Sequence, residues 1–193
     1  MMRVAIAYHS GYGHTERQAQ AVANGVNGIE GVEADLVPVE DLVDGESPAW
    51  NLLDQAGAII FGSPTYMGSA SAQFKGFMDA SSGRWMEQRW AFKMAAGFTN
   101  SGSQNGDKQN TLVQFCTLAA QHGMVWVNLN LMPGNNHSGG SKDDLNQMGA
   151  SLGAMAQSNV DVGADIAPGK SDLDTAAALG ANVANAVLRW NKS

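Results

Sequence analysis

The chain has 193 residues, 44% of them hydrophobic and 15% charged, with 18 acids against 11 bases and a net charge of −7. That length and apolar content support one well-cored domain and exclude a disordered chain. The acidic balance argues against nucleic acid, which needs basic patches, and suits a cationic protein partner.

No apolar run approaches the about 18 residues that span a bilayer, and the N-terminal apolar run is too short for a signal-peptide core. The expected compartment is the cytoplasm, with no membrane insertion. The single Cys116 cannot form an internal disulfide and lies in an apolar helical pattern, which reads as core. No histidine pair has metal-ligand spacing, so no metal site is expected.

In chain order, Arg3–Tyr8 reads as a strand, and the loop Ser10–Thr15 separates it from a helix over Glu16–Val26. Further strands are expected at Glu33–Val39, Ala56–Gly62, Ala91–Phe98 and Met124–Leu129, and further helices at Ala70–Ala80, Asp107–Gln121 and Asp172–Trp190. Strands alternating with helices imply a parallel sheet covered on both faces. Five strands suggest the flavodoxin-like order 2-1-3-4-5, a three-layer α/β sandwich that binds ligands at the carboxyl ends of its strands. Residues 1–193 are read as one domain with a long insertion at about 130–170, rich in Gly, Asn, Ser and Asp. Within it, Leu152–Ala156 fits a short helix or an edge strand. Ser171 is the expected cap of the last helix, whose small-residue face Leu173, Ala176, Gly180, Val183 and Val187 suits close packing.

The first loop, inside Y8-H9-S10-G11-Y12-G13-H14-T15, joins a strand to a helix, which is the setting of a phosphate cradle. It lacks the Gly-Lys-Ser/Thr ending of a P-loop, and Glu16 stands where a dinucleotide fingerprint needs its third glycine. Gly-x-Ser-x-Gly occurs nowhere in the chain. What remains is a cradle of hydroxyls and amides suited to a phosphate monoester such as that of FMN, or else an ordinary turn with Thr15 as helix cap. The loops Gly62–Gly68 and Thr99–Gly106 fall at the same sheet edge and are nearly free of acids and bases. Three such loops suit a flat heteroaromatic ring better than they suit hydrolysis, and amide donors can stabilise the negative charge that flavin reduction places near N1 and O2.

On the segments YHSGYGHTE, IIFGSPTYMGSASAQFKGFMD, SSGRW, KMAAGFTNSGS and LAAQHGMVWV, the chain resembles the WrbA family of flavodoxin-like NAD(P)H:quinone oxidoreductases, from Met1 to about Leu129. The resemblance implies FMN as cofactor, NADPH or NADH as co-substrate, a quinone as acceptor, and a homo-oligomer, dimer or tetramer. By similarity Ser10, Gly11, Tyr12, Gly13, His14 and Thr15 hold the phosphate. Pro64, Thr65, Tyr66, Met67 and Gly68 line or shape one side of the ring, and Thr99, Asn100, Ser101, Gly102, Ser103, Gln104 and Asn105 contact its other edge. Trp85 matches a tryptophan that walls the substrate pocket of a neighbouring subunit. Gln121 and His122 stand where the family has a His-His pair, which makes them the catalytic candidates, although Gln121 in place of the family's His weakens the case for a His that assists hydride or proton transfer; the other reading of His122 is a helix cap or an interface packing residue.

The departures are Tyr66 in place of the family's common Arg, Gln121 in place of its His, a third loop poorer in Gly, and a short Val39–Gln55 connection. The alternative reading is a carrier that passes single electrons between proteins. Carriers sandwich the flavin between aromatics on both flanking loops, whereas here Thr99–Gly106 holds no aromatic residue.

Overall fold

The computed structural model describes residues 1–191. Strand β1 (Met2–Tyr8) is a near-continuous apolar run because it is central and covered on both faces. Helix α1 (His14–Asn27) returns the chain to β2 (Val32–Pro38), an edge strand with exposed positions. There Arg3 pairs with both Glu33 and Asp35. A 3-10 turn at Val39–Leu42 and a short helix α2 (Trp50–Gln55) lead to β3 (Ala58–Tyr66), which extends past the sheet to pair antiparallel with β4 (Ser69–Ala70). Helices α3 (Ala72–Ala80) and α4 (Ser82–Met86) precede β5 (Met94–Ser101) and α5 (Lys108–Gln121). Ser71 caps α3 through Phe74 N.

The parallel path runs β2-β1-β3-β5, and the fifth position is shared by two short strands. β6 (Val125–Trp126) pairs with Met94 and Ala95, whereas β7 (Ala154–Gln157) pairs with Phe98 through Ser101. The expected strand Met124–Leu129 is therefore cut to two residues, and the edge-strand reading of Leu152–Ala156 holds over its last three. Residues 127–153 leave the sheet between the halves. Trp126 Nε1 donates to Leu152 O at 2.9 Å across the break. Asn146 pins the excursion: its side chain donates to Ala150 O at 2.9 Å and accepts from Ala150 N at 3.0 Å, while Thr175 Oγ1 accepts from its backbone N at 2.8 Å.

Helix α6 (Lys170–Trp190) packs along α1 on one face of the sheet. A Cβ at Gly180 would collide with Val22 O, so the small face predicted for this helix serves a helix–helix contact as well as the sheet. Ser171 does not cap it. The cap is Gly169, and the Ser171 hydroxyl donates to Lys142 O at 2.7 Å. On the other face Phe61, Phe74, Phe77, Phe115, Trp50 and Trp90 form one aromatic layer, with Phe74 and Phe77 rings 5.2 Å apart.

Candidate functional site

At the carboxyl edge of the sheet four loops enclose a cavity of about 490 Å³. The first is the β1–α1 connection. Its N-cap is Gly13 in the left-handed region, not Thr15, which is the second residue of the helix and is buried on the cavity wall. Among the described residues the amides of Gly11, Tyr12 and Gly13 donate no hydrogen bond within the chain. Ser10 Oγ accepts from Glu16 N at 3.0 Å, which leaves its own proton free to donate. Free amides at a helix N-terminus with two hydroxyls beside them are an anion cradle. Gly11 lies close under Tyr66: a Cβ there would meet Tyr66 Oη at 2.5 Å and push that side chain aside.

The end of β3 supplies the second wall. Pro64 and Tyr66 face the cavity, and Tyr66 meets the 80% exposed Tyr12 edge-on at 6.5 Å. Burial pushes the Tyr66 phenol up, so it stays a neutral hydroxyl. Thr65 turns the opposite way. Its hydroxyl lies 2.8 Å from both Thr99 Oγ1 and Thr111 Oγ1 in a buried network, and Thr99 donates to Ser63 O at 2.7 Å. Thr65 and Thr99 therefore brace the loops from inside and do not line the cavity. Met67 and Gly68 form an exposed turn with positive φ, outside the lining.

The third wall is Asn100, Ser101 and Gly102. Asn100 is buried and accepts from Ser158 Oγ at 3.2 Å. Gln104 and Asn105 line a neighbouring cavity of about 580 Å³ beside Met148 and Leu152, on the far side of the same loop. The fourth wall was not legible as a site in the sequence. Ser158, Val160, Val162 and Gly163 follow β7 and close the cavity. They are tied to the first loop by His14 Nε2, which donates to Val162 O at 2.9 Å, and by Arg17, which donates to Ala164 O. His14 thus serves loop–loop contact. The signal was hidden because β7 is too short to stand out within a polar insertion.

Gln121, His122 and Trp85 lie elsewhere. Phe92 N bonds Gly123 O at the start of β5, so the Gln121–Gly123 turn sits at the amino edge of the sheet, opposite the cavity. His122 is 4% exposed, 2.9 Å from Ser81 Oγ and 4.3 Å from the Trp90 ring, and burial pushes it down to about 4. It is a neutral core histidine, and within one chain neither it nor Gln121 reaches the cavity. Trp85 is 50% exposed on α4 near the same edge, so it too can meet a cavity only in a second copy. Burial raises Cys116 to about 11, which keeps it a thiol. Among the described residues no cluster of His, Cys, Asp or Glu could hold a metal, and no helix is long and apolar enough to cross a membrane.

Uncharged walls, an amide cradle for a monoester and room for a flat ring fit FMN. Together with the doubly wound sheet they define a flavodoxin-like oxidoreductase. The chain belongs to the NADPH-dependent FMN reductase family, whose model matches residues 4–137. It is 48% identical over 184 residues to Flavodoxin FldP of Pseudomonas aeruginosa (strain UCBPP-PA14), covering 95% of this chain and 96% of that one. It is 34% identical over 142 residues to an NAD(P)H dehydrogenase (quinone) of Chromohalobacter salexigens, covering 66% of this chain and 71% of the other. The structure matches a flavodoxin, WrbA-like protein from Agrobacterium tumefaciens with TM-score 0.77 and 40% identity, over 98% of this chain and 99% of that one. A flavodoxin from the domain Archaea shares the fold at TM-score 0.64 and 19% identity, covering 97% of this chain and 99% of that one.

Proposed function

We propose that this protein is an FMN-dependent oxidoreductase that takes two electrons from NADPH or NADH and passes them to a quinone in a ping-pong cycle. The observation that carries this reading is the inequality of the cavity walls. Tyr12 and Tyr66 stand on one side, whereas the Asn100–Gly102 side has no aromatic residue. A ring held between them keeps one face for a small flat molecule, first the nicotinamide and then the acceptor.

Bound FMN supplies the redox chemistry, accepting hydride and yielding two electrons. The residues of the chain do the rest. The Gly11–Gly13 amides with Ser10 and Thr15 hold the phosphate. Asn100 and the amides of the third loop donate to the ring edge where negative charge develops. Val160 and Val162 give the cavity its apolar wall. No side chain in the cavity is a strong acid or base, so the proton that completes the reduced acceptor comes from solvent, the other hydrogen having entered as hydride from the nicotinamide. The family, and the relative named as a quinone dehydrogenase, support this reading. Trp85 walls the acceptor pocket of a neighbouring copy in a homo-oligomer.

A second reading has its own support. Identity to Flavodoxin FldP over nearly the whole chain favours a carrier of single electrons, and a net charge of −7 suits cationic partners. One experiment separates the two. The FMN-loaded protein is mixed with NADPH without oxygen, and flavin absorbance is followed by stopped flow. Rapid, complete bleaching followed by recovery on quinone addition is the outcome expected of the reductase. Flavin that stays oxidised with both NADPH and NADH would move the function to the carrier.

A further inference from the structure

The fourth wall of the cavity is tied to the molecule by side chains, not by a backbone ladder. The last rung of β7 pairs Gln157 with Ser101. One residue further on, Ser158 N donates to Ser101 O at 3.1 Å and Ser158 Oγ donates to Asn100 Oδ1 at 3.2 Å. Beyond that point, among the described residues, the backbone groups of 159–164 bond to other backbone groups only locally: Val162 N donates to Asn159 O, and Gly163 O accepts from Ile166 N and Ala167 N. Little apolar burial compensates, since Val160 is 91% exposed and Val162 and Ala164 are half-buried. Few buried contacts and few backbone bonds place a segment at the low end of local stability.

Two side chains from the first turns of α1 hold this segment in place. His14 Nε2 donates to Val162 O at 2.9 Å, and the Arg17 guanidinium donates to Ala164 O. The segment is seated closely at both ends. A Cβ on Gly102 of the third loop would lie 2.6 Å from Val160 Cγ1, and one on Gly13 of the first loop would lie 3.0 Å from Ala164 Cβ. The chain thus crosses from the third loop to the first, and Val160, Val162 and Gly163 line the cavity on the way. A molecule held between those two loops is enclosed on this side by a stretch that only side chains fasten. Arg17 itself does not line the cavity, so its contact with Ala164 serves the wall and not the occupant.

We infer that residues 159–164 form a strap that opens to admit and release the cofactor, and that Arg17 is the positioning residue that latches it through Ala164 O; the inference rests on the FMN reading of the cavity. His14 makes the second tie. Because His14 also lines the cavity, its replacement would mix the latch with contact to the occupant, whereas replacement of Arg17 isolates the latch.

The test compares wild type with Arg17→Met, which keeps a long side chain and removes the donor. Two quantities are read: the rate of FMN release, from flavin fluorescence on dilution, and amide exchange of residues 158–167 in the FMN-free protein. Arg17→Met is expected to release FMN about tenfold faster, as for one lost hydrogen bond from a charged donor. It is also expected to speed exchange in residues 158–167 and leave β1 and β5 unaltered. Wild-type release in folded Arg17→Met would overturn the inference. So would faster release with unaltered exchange, which would make Arg17 a counter-charge for the phosphate and not a latch. Should Arg17→Met not fold, the wild-type protein decides: without FMN, residues 158–167 are expected to exchange ahead of α1 and β5, and added FMN is expected to slow them. Exchange as slow as that of β5, or indifferent to FMN, would overturn the strap. A wild-type protein that binds no FMN would instead remove the cofactor reading, and the role of the strap with it.

Discussion

The cavity at the carboxyl edge and the aromatic layer under α3 and α5 are built on the same strands by opposite rules. The aromatic layer buries Trp50, Phe61, Phe74, Phe77, Trp90 and Phe115, and beside it Ser81 Oγ lies 2.9 Å from His122 Nε2 while His122 Nδ1 is left without a partner among the described residues. The cavity is walled by backbone amides, carboxamides and hydroxyls, braced from behind by the Thr65–Thr99–Thr111 network and by Lys108. The first region is stable because it excludes water. The second is held open because its polar groups are oriented by contacts on their far side. The strand β3 joins them, with Phe61 in the aromatic layer and Tyr66 on the cavity.

If the two regions are independent, damage to one must leave the other intact. The largest effect is expected from Phe77→Ala, which empties a site between Trp50 at 5.7 Å and Phe74 at 5.2 Å. It should cost about 3–5 kcal/mol of stability by denaturant melting, with unchanged FMN affinity in the folded protein. Lost affinity at full folding would break the separation.

His122 gives the next test. Its pKa lies at about 4, below the unfolded value of 6.5, so the unfolded chain binds the extra proton first. Its stabilising effect is fully present above pH 6.5 and is lost as pH falls toward 4, by at most about 3 kcal/mol. A urea-melt series over that range should show the loss, and His122→Phe should flatten it.

The cavity is probed by Ser10→Ala combined with Thr15→Ala, expected to raise the FMN Kd by about 100-fold or more, since two hydrogen bonds to a charged group are lost at about 1.5–3 kcal/mol each. Stability should fall by only about 1 kcal/mol, the worth of the lost Ser10–Glu16 hydrogen bond. Unchanged affinity would place the phosphate elsewhere. Trp85→Ala should have the smallest effect, a several-fold slower quinone turnover with unaltered FMN affinity and melting temperature. Unaltered turnover would remove Trp85 from the acceptor pocket.

Much of this was legible along the chain. The run Val4–Tyr8, the helix at Glu16–Val26 and the polar loops after the first, third and fourth strands carry patterns set by local periodicity. All eight lining residues of the first three walls lie in those loops and are among the candidates of the sequence analysis: Tyr12, His14, Thr15, Pro64, Tyr66, Asn100, Ser101 and Gly102. Direction within a loop was not legible. Thr65 and Thr99 looked like ring contacts but turn inward, because buried hydroxyls find one another across strands distant in sequence. Gln104 and Asn105 belong to the adjoining cavity, beside the buried Lys108 that holds the carbonyls of Ser103 and Gln104.

Taken alone, the sequence determined the alternation of strands and helices, the parallel order, the small-residue loop that leaves amides free before α1, and the uncharged character of the site. Those follow from side-chain period and backbone chemistry, which are local. The tertiary structure alone decided that the fifth strand is split, that residues 158–163 close the cavity, that Gln121 and His122 sit at the opposite edge, and that Lys108 lies behind the third loop. Each of these depends on which segment lies opposite which across the sheet. A strand of four residues such as Ala154–Gln157 has too little periodicity of its own to announce itself, and it is fixed in place by the backbone of β5.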